Sequence, residues 1–261
     1  MQIWGIVNVT PDSFSDGGRF LEAARAIAHG EALAADGAHV LDIGGESTRP
    51  GAAPVGHAEE IDRVVPVLEG LAAALPEMIL SIDTRHAAVA DAALGAGATI
   101  VNDVSGAADP AMLDVVARHG AGLVLMHMRG TPETMQSEPA YDDVTAEVAA
   151  YLEARAHAAL AAGVDAARVW IDPGIGFGKT LDHNLTLLRD LEAFVRMGRP
   201  VLLGASRKSF LGSLTGQTEA ADRLAGSLAC ALRALEAGVA AVRVHDVRET
   251  RDILAVFTQI R

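Results

Sequence analysis

The chain has 261 residues, half of them hydrophobic and 21% charged, with 26 glycines; this excludes disordered and fibrous classes and suits one α/β barrel of about 250 residues. A formal charge of −13 argues against nonspecific nucleic-acid binding; with no apolar run near the ~18 residues that span a bilayer and no basic leader, a cytoplasmic protein without a membrane partner is expected. A single cysteine, Cys230, excludes an internal disulfide framework and a cysteine-based zinc cluster.

In chain order, β-branched apolar runs occupy Gln2 to Asn8, His39 to Ile43, Met78 to Asp83, Thr99 to Val104, Gly122 to His127, Val169 to Asp172, Val201 to Gly204 and Val239 to His245. Between them lie Ala-rich stretches with apolar residues at helical spacing, such as Leu21, Ala24, Ile27 and Ala28, or Val144, Val148, Tyr151 and Leu152. Glycines at Gly37, Gly97, Gly120 and Gly238 supply the left-handed turn that ends a helix before the next strand. Strand and helix alternate eight times without a compositional break, which predicts parallel strands with crossover helices in a single (β/α)8 TIM barrel domain over residues 1–261. A dinucleotide-binding open sheet would place a Gly-x-Gly-x-x-Gly turn after the first strand, where Asn8-Val9-Thr10-Pro11 stands instead. Because the first strand starts at residue 2, side chains alone are expected to close the barrel floor.

In such a barrel the active site lies at the C-terminal ends of the strands. Those ends read Asn8, Asp42, Asp83, Asn102, His127, Asp172, Ser206-Arg207-Lys208 and Arg243-Val244-His245, so nearly every strand delivers a polar group to one face. The acidic and amide groups suit a ligand with many donors. Lys179, Lys208, Arg49, Arg207, Arg243 and His245 bring positive charge to the same mouth, which suits an anionic substrate; pairing of these arginines with nearby aspartates is the alternative. The loop Asp172 to Thr180 has Pro173 where a P-loop needs its first glycine, and Gly204 to Lys208 lacks the second glycine of a nucleophile elbow. No His-x-His pair follows the first strand, which argues against a tightly held catalytic zinc.

Two segments, Gly5 to Gly18 (GIVNVTPDSFSDGG) and Asp42 to Gly51 (DIGGESTRPG), resemble the signature loops of the dihydropteroate synthases, pterin-binding enzymes of folate biosynthesis targeted by sulfonamides. Six further segments agree in order: Ser81 to Arg85, Asn102 to Gly106, Met126 to Gln136, Asp172 to Thr180, Ser206 to Phe210 and Arg243 to Val247. The resemblance implies condensation of 6-hydroxymethyl-7,8-dihydropterin diphosphate with p-aminobenzoate to 7,8-dihydropteroate and pyrophosphate, by an SN1-like departure of the diphosphate. It assigns the pterin to Asp83, Asn102, Asp172, Lys208, Met126 and Phe177. The diphosphate falls to Asn8, Thr48, Arg49, Arg243 and His245, and p-aminobenzoate to Phe14, Pro50, Phe177, Ser206, Arg207 and Lys208. It further implies a Mg²⁺ held partly by Asn8, catalytic roles for Lys208, Arg243, His245 and Asn8, and a homodimer, for which Ala220 to Ala237 and Val247 to Phe257 are candidate surfaces. Two alternatives share the ring-binding residues: a pterin-binding methyltransferase acting on methyltetrahydrofolate, and a noncatalytic pterin-binding protein. The first has no need of Ser206-Arg207-Lys208, and the second has none of the cations that serve a leaving group.

Overall fold

The computed structural model describes residues 1–9, 18–47, 55–131, 134–135 and 139–260, with the backbone alone over 18–21. Eight parallel strands follow the predicted runs closely: β1 (Gln2–Asn8), β2 (Val40–Gly44), β3 (Ile79–Asp83), β4 (Ile100–Asp103), β5 (Gly122–Met126), β6 (Val169–Asp172), β7 (Leu202–Leu203) and β8 (Ala241–Val244). Helices cross between them: α1 (Gly18–Asp36), α2 (His57–Ala74), α3 (Ala87–Gly95), α4 (Met112–His119), α5 (Val144–Ala161), α6 (Leu181–Arg189), α7 (Leu191–Val195), α8 (Ser209–Thr215), α9 (Leu224–Ala237) and α10 (Val247–Ile260). The glycines expected to end helices do adopt positive φ, at Gly37 (106°), Gly97 (113°), Gly120 (61°) and Gly238 (80°).

Sheet order runs β6-β5-β4-β3-β2-β1-β8-β7, and the ring is closed by a parallel bridge between Ile171 and Val201 with Ile171 N donating to Pro200 O at 3.0 Å. Pro200 has no N–H to give the ladder, and the strand it precedes is two residues long. The seam between β6 and β7 is therefore the barrel's thinnest join.

The period of two along each strand sorts the side chains into two environments. Leu41, Ile43, Leu80, Ile82, Val101, Leu123, Leu125, Ile171, Leu203 and Val242 point outward into the main core beneath the helices. A second, separate cluster holds Trp4, Val40, Val124, Leu202 and Ala241, with Ile100 and Trp170 packed against it. These residues fill the barrel floor. The Trp4 and Trp170 rings meet at 5.5 Å between centroids, and Trp4 Nε1 donates to Gln2 Oε1 at 3.0 Å, which satisfies the one polar atom of that ring.

One step further along the inward-facing positions the character changes. Two residues beyond Val40 stands Asp42, two beyond Ile100 stands Asn102, two beyond Trp170 stands Asp172 and two beyond Ala241 stands Arg243. The alternation that builds an apolar floor thus builds a polar layer directly above it.

Trp4→Ala is expected to cost about 3–5 kcal/mol of stability, as large-to-small changes at fully buried aromatics do. Urea denaturation followed by far-ultraviolet circular dichroism measures it, and a loss below about 1 kcal/mol would contradict the floor's role.

Candidate active site

At the centre of the polar layer lies an ion network buried in the barrel. Asp42 is fully buried; its Oδ2 accepts from Arg243 Nε and from Asn102 Nδ2 at 3.0 Å. Arg243 Nη2 donates to Asp83 Oδ2 at 2.7 Å. The register explains the grouping, since Asp42 pairs with Ser81 across β2 and β3 and Asp83 with Asn102 across β3 and β4. Burial raises Asp83 to about 7, against the pull of Arg243 and with the repulsion of Asp42 added. The guanidinium is held firmly protonated by the same two aspartates, whose charges overcome its desolvation. Asp42 Oδ1 and Asp83 Oδ1 are buried with no hydrogen-bond partner among the described residues. Unsatisfied acceptors of this kind are costly unless something comes to meet them.

Asp172 closes the other side of the cup. Its Oδ1 accepts from Gly174 N at 2.7 Å, while Oδ2 and Lys208 Nζ each lie 3.8 Å from the point a Cβ on Gly204 would occupy. Gly204 leaves room at the top of β7 where a side chain would fill the cup. Burial raises the Asp172 carboxyl, and Lys208, the Gly174 N–H, Lys179 and Arg243 oppose it. Lys208 donates to Ile175 O and sits 4.5 Å from the centroid of the Phe177 ring, an attractive cation–π geometry. Burial lowers its ammonium to about 8, despite the nearby Asp172. Met126 stands buried at the end of β5, in register with Asp172. The structure thus gathers Asp83, Asn102, Asp172, Lys208, Arg243, Met126 and Phe177 at one mouth.

Other predicted residues are placed differently. Asn8 is exposed at the end of β1. Ser206 Oγ and His245 Nδ1 are 3.0 Å apart, and Ser206 also accepts from His245 N at 3.3 Å, so these two face each other across β7 and β8. Arg207, with φ of 58°, closes its fork on Asp246 through Nε at 3.0 Å and through Nη2; the pairing alternative applies to it. Lys179 is not a cation of the mouth: it is 3% exposed and turned into the protein. Phe14, Thr48, Arg49 and Pro50 lie outside the described residues.

Sequence reasoning listed Asp42 as a strand end but gave it no role, although it holds both Arg243 and Asn102. The signal was present: a carboxylate two residues after Val40, inside an apolar run. A second group outside the expected set sits where the β2 loop leaves the barrel. Arg85 clasps both oxygens of Glu46, with Nε to Oε2 at 2.9 Å and Nη2 to Oε1 at 3.1 Å, and His86 Nε2 lies 3.6 Å from Glu46 Oε2 and 3.9 Å from the buried Glu60. Burial alone would raise Glu46, but the nearby His86 and the hydrogen bonds from Arg85 and the Val55 N–H bring it down to about 2. Glu46, Glu60 and His86 put ligand-type atoms within 4.8 Å of one another. Arg85 already meets the charge of Glu46, so the group reads as an anchor for the loop.

The mouth of this (β/α)8 barrel gathers three aspartates around one guanidinium and one ammonium, and the family model described as "Pterin binding enzyme" matches residues 4–245. The chain is 50% identical over 258 residues to the dihydropteroate synthase of Neisseria meningitidis serogroup C, covering 97% of this chain and 90% of that protein. Among solved structures, the Xanthomonas albilineans dihydropteroate synthase with 4-aminobenzoic acid superposes with a TM-score of 0.93 at 48% identity, covering 99% of this chain and 92% of the other. The same enzyme in complex with 7,8-dihydropteroate gives 0.89 at 45% identity, covering 99% and 93%. The chain belongs to the dihydropteroate synthase family.

Arg243→Met is expected to destabilise the fold by about 3–5 kcal/mol, because it strands two buried carboxylates. Adding Asp83→Asn should recover part of the loss. Urea denaturation of the two single variants and the double variant checks this, and strict additivity would show that the pair is not coupled.

Proposed function

We propose that this chain condenses 6-hydroxymethyl-7,8-dihydropterin diphosphate with p-aminobenzoate, forming 7,8-dihydropteroate and releasing pyrophosphate. The observation that carries the reading is the convergence of Asp172 Oδ2 and Lys208 Nζ on the space above Gly204, beside the orphan oxygens of Asp42 and Asp83. A pterin's 2-amino and N3 hydrogens form a two-donor edge that Asp172 accepts. A ring lacking those donors would leave a buried carboxylate unpaired, which is the source of selectivity. Asp83 and Asn102 take the remaining polar edge, Lys208 the O4 and N5 acceptors, and Met126 and Phe177 the ring faces.

Departure of the diphosphate leaves a carbocation conjugated with the electron-rich dihydropterin, so the route is SN1-like. The protein's task is to meet negative charge as it grows on the leaving group. Arg243 does so with Nη1, the guanidinium nitrogen not engaged by the two aspartates; His245, Thr48 and Arg49 add to it. The exposed amide oxygen of Asn8 is a hard donor of the kind Mg²⁺ takes alongside phosphate oxygens and water, and Mg²⁺ there would neutralise diphosphate charge. We assign p-aminobenzoate to Phe14, Pro50, Phe177, Ser206 and Lys208, and to Arg207, whose fork is held by Asp246. The p-aminobenzoate amine is nucleophilic when neutral and needs no strong base.

No helix among the described residues is long and apolar enough to cross a membrane, and we place the enzyme in the cytoplasm. Val256 and Ile260 on α10 are exposed apolar residues, which supports a homodimer joined through that helix.

Mixing the two substrates with Mg²⁺ is expected to release pyrophosphate and form dihydropteroate; absence of product from folded protein would overturn the reading. Asn8→Ala should raise the Mg²⁺ concentration needed for half-maximal rate, and an unchanged requirement would remove Asn8 from the metal. Lys208 is cationic below about 8, so kcat/KM for the pterin should fall as pH rises through that value. Lys208→Arg keeps its charge and should lose this alkaline limb in an initial-rate pH profile.

A further inference from the structure

The chain has two lysines, and only one of them reaches the cup. Lys179 lies two residues beyond Phe177, buried behind the site, and its Nζ is ringed by three partners: His127 Nδ1 at 3.0 Å, Phe177 O at 3.0 Å and His127 O at 3.3 Å. The two backbone carbonyls accept from Nζ whatever the tautomer of His127, and burial lowers the Lys179 amine to about 7 against the pull of Asp172. Burial, with the positive charge of Lys179 beside it, pushes His127 down to about 3. The imidazole is therefore neutral. The ring is held in turn by the edge of Tyr151, 4.9 Å away between centroids.

These contacts lead straight to the cup. His127 N donates to Asp172 O at 3.1 Å, and the His127 carbonyl is pressed so closely against Gly174 that a Cβ there would stand 1.9 Å from it. Gly174 in turn supplies the N–H that fixes Asp172 Oδ1. On the other branch the Phe177 carbonyl is tied directly to Lys179, and the Phe177 ring carries Lys208 above it. Asn184 braces the same loop, accepting from Gly176 N at 2.6 Å and donating to Thr180 O at 2.8 Å, where Thr180 caps α6.

We propose that Lys179 is a positioning residue of the pterin pocket: its buried amino group ties the backbone of His127, after β5, to that of Phe177, after β6, and so sets the Asp172 carboxylate and the Phe177 ring against the heterocycle. The role rests on the assignment of Asp172 and Phe177 to the pterin above. Lys179 touches no reacting atom in this arrangement, so its removal acts on pterin affinity and not on the chemical step.

The test compares wild type with Lys179→Met, measuring the dissociation constant for 6-hydroxymethyl-7,8-dihydropterin by titration and the steady-state constants with saturating p-aminobenzoate. The expected result is pterin binding weakened at least tenfold and KM for the pterin substrate raised in parallel, with kcat within about threefold of wild type. Equal affinity in the two proteins would overturn the proposal while leaving the functional reading intact; failure of folded wild type to bind the pterin would remove both. Should the variant not fold, wild-type protein labelled with ¹⁵N-lysine decides the matter. One Nζ resonance, the one that persists in Lys208→Arg, should show slowly exchanging protons and should shift when the pterin is added. Rapid exchange, or a signal indifferent to the pterin, would overturn the role.

Discussion

The character of this barrel is set by one guanidinium shared between two buried aspartates. Asp42 and Asp83 lie inside a parallel sheet, where an unpaired carboxylate is costly, and Arg243 reaches both of them from β8. The three residues come from strands widely separated in sequence, so the pairing forms only when β8 has closed against β1. It therefore ties the β1–β8 join to the creation of the cup. Such buried networks add little to net stability, and their strength is geometric definition. Here that definition leaves one oxygen of each aspartate without a hydrogen-bond partner among the described residues.

The rest of the site is arranged around that fixed centre by elements of graded rigidity. Asp172, Asn102 and Arg243 stand on strands, whose positions are locked by the outward-facing core. Phe177 and Lys208 stand on loops and owe their placement to particular contacts: carbonyls gathered by buried lysine amino groups, and glycines at which no side chain fits. Catalysis by electrostatic stabilisation needs dipoles and charges in place before the reaction begins. Strand-borne residues supply this at the base of the cup, and the loop residues extend it toward the rim. The acidic interior and the cationic groups at its edge are thus two parts of one field.

Much of this was legible in the sequence because the barrel repeats a simple unit. Eight apolar runs, each with a polar residue at its end, gave the strands to within a residue or two, and the rule that barrel chemistry sits at the strands' C-terminal ends brought Asp83, Asn102, Asp172, Lys208 and Arg243 together before any coordinates did. What escaped was whatever depends on the direction of a side chain. Lys179 reads like a cation of the mouth in a glycine-rich loop, yet it turns inward to the carbonyls of His127 and Phe177. Arg207 reads like a neighbour of Lys208 with the same task, yet its positive φ swings the fork onto Asp246. Asp42 was visible as a strand end, but its partners lie on β4 and β8, and pairings of that range are not written in local pattern. The Glu46, Arg85 and His86 anchor joins two loops and was silent for the same reason.

Trp4 and Trp170 are the chain's two tryptophans, and both belong to the plug at the far end of the barrel from the mouth. The layer of charged and amide side chains stands between them and anything that enters. Ultraviolet emission from these two indoles therefore originates in the scaffold's floor and gauges its integrity from within.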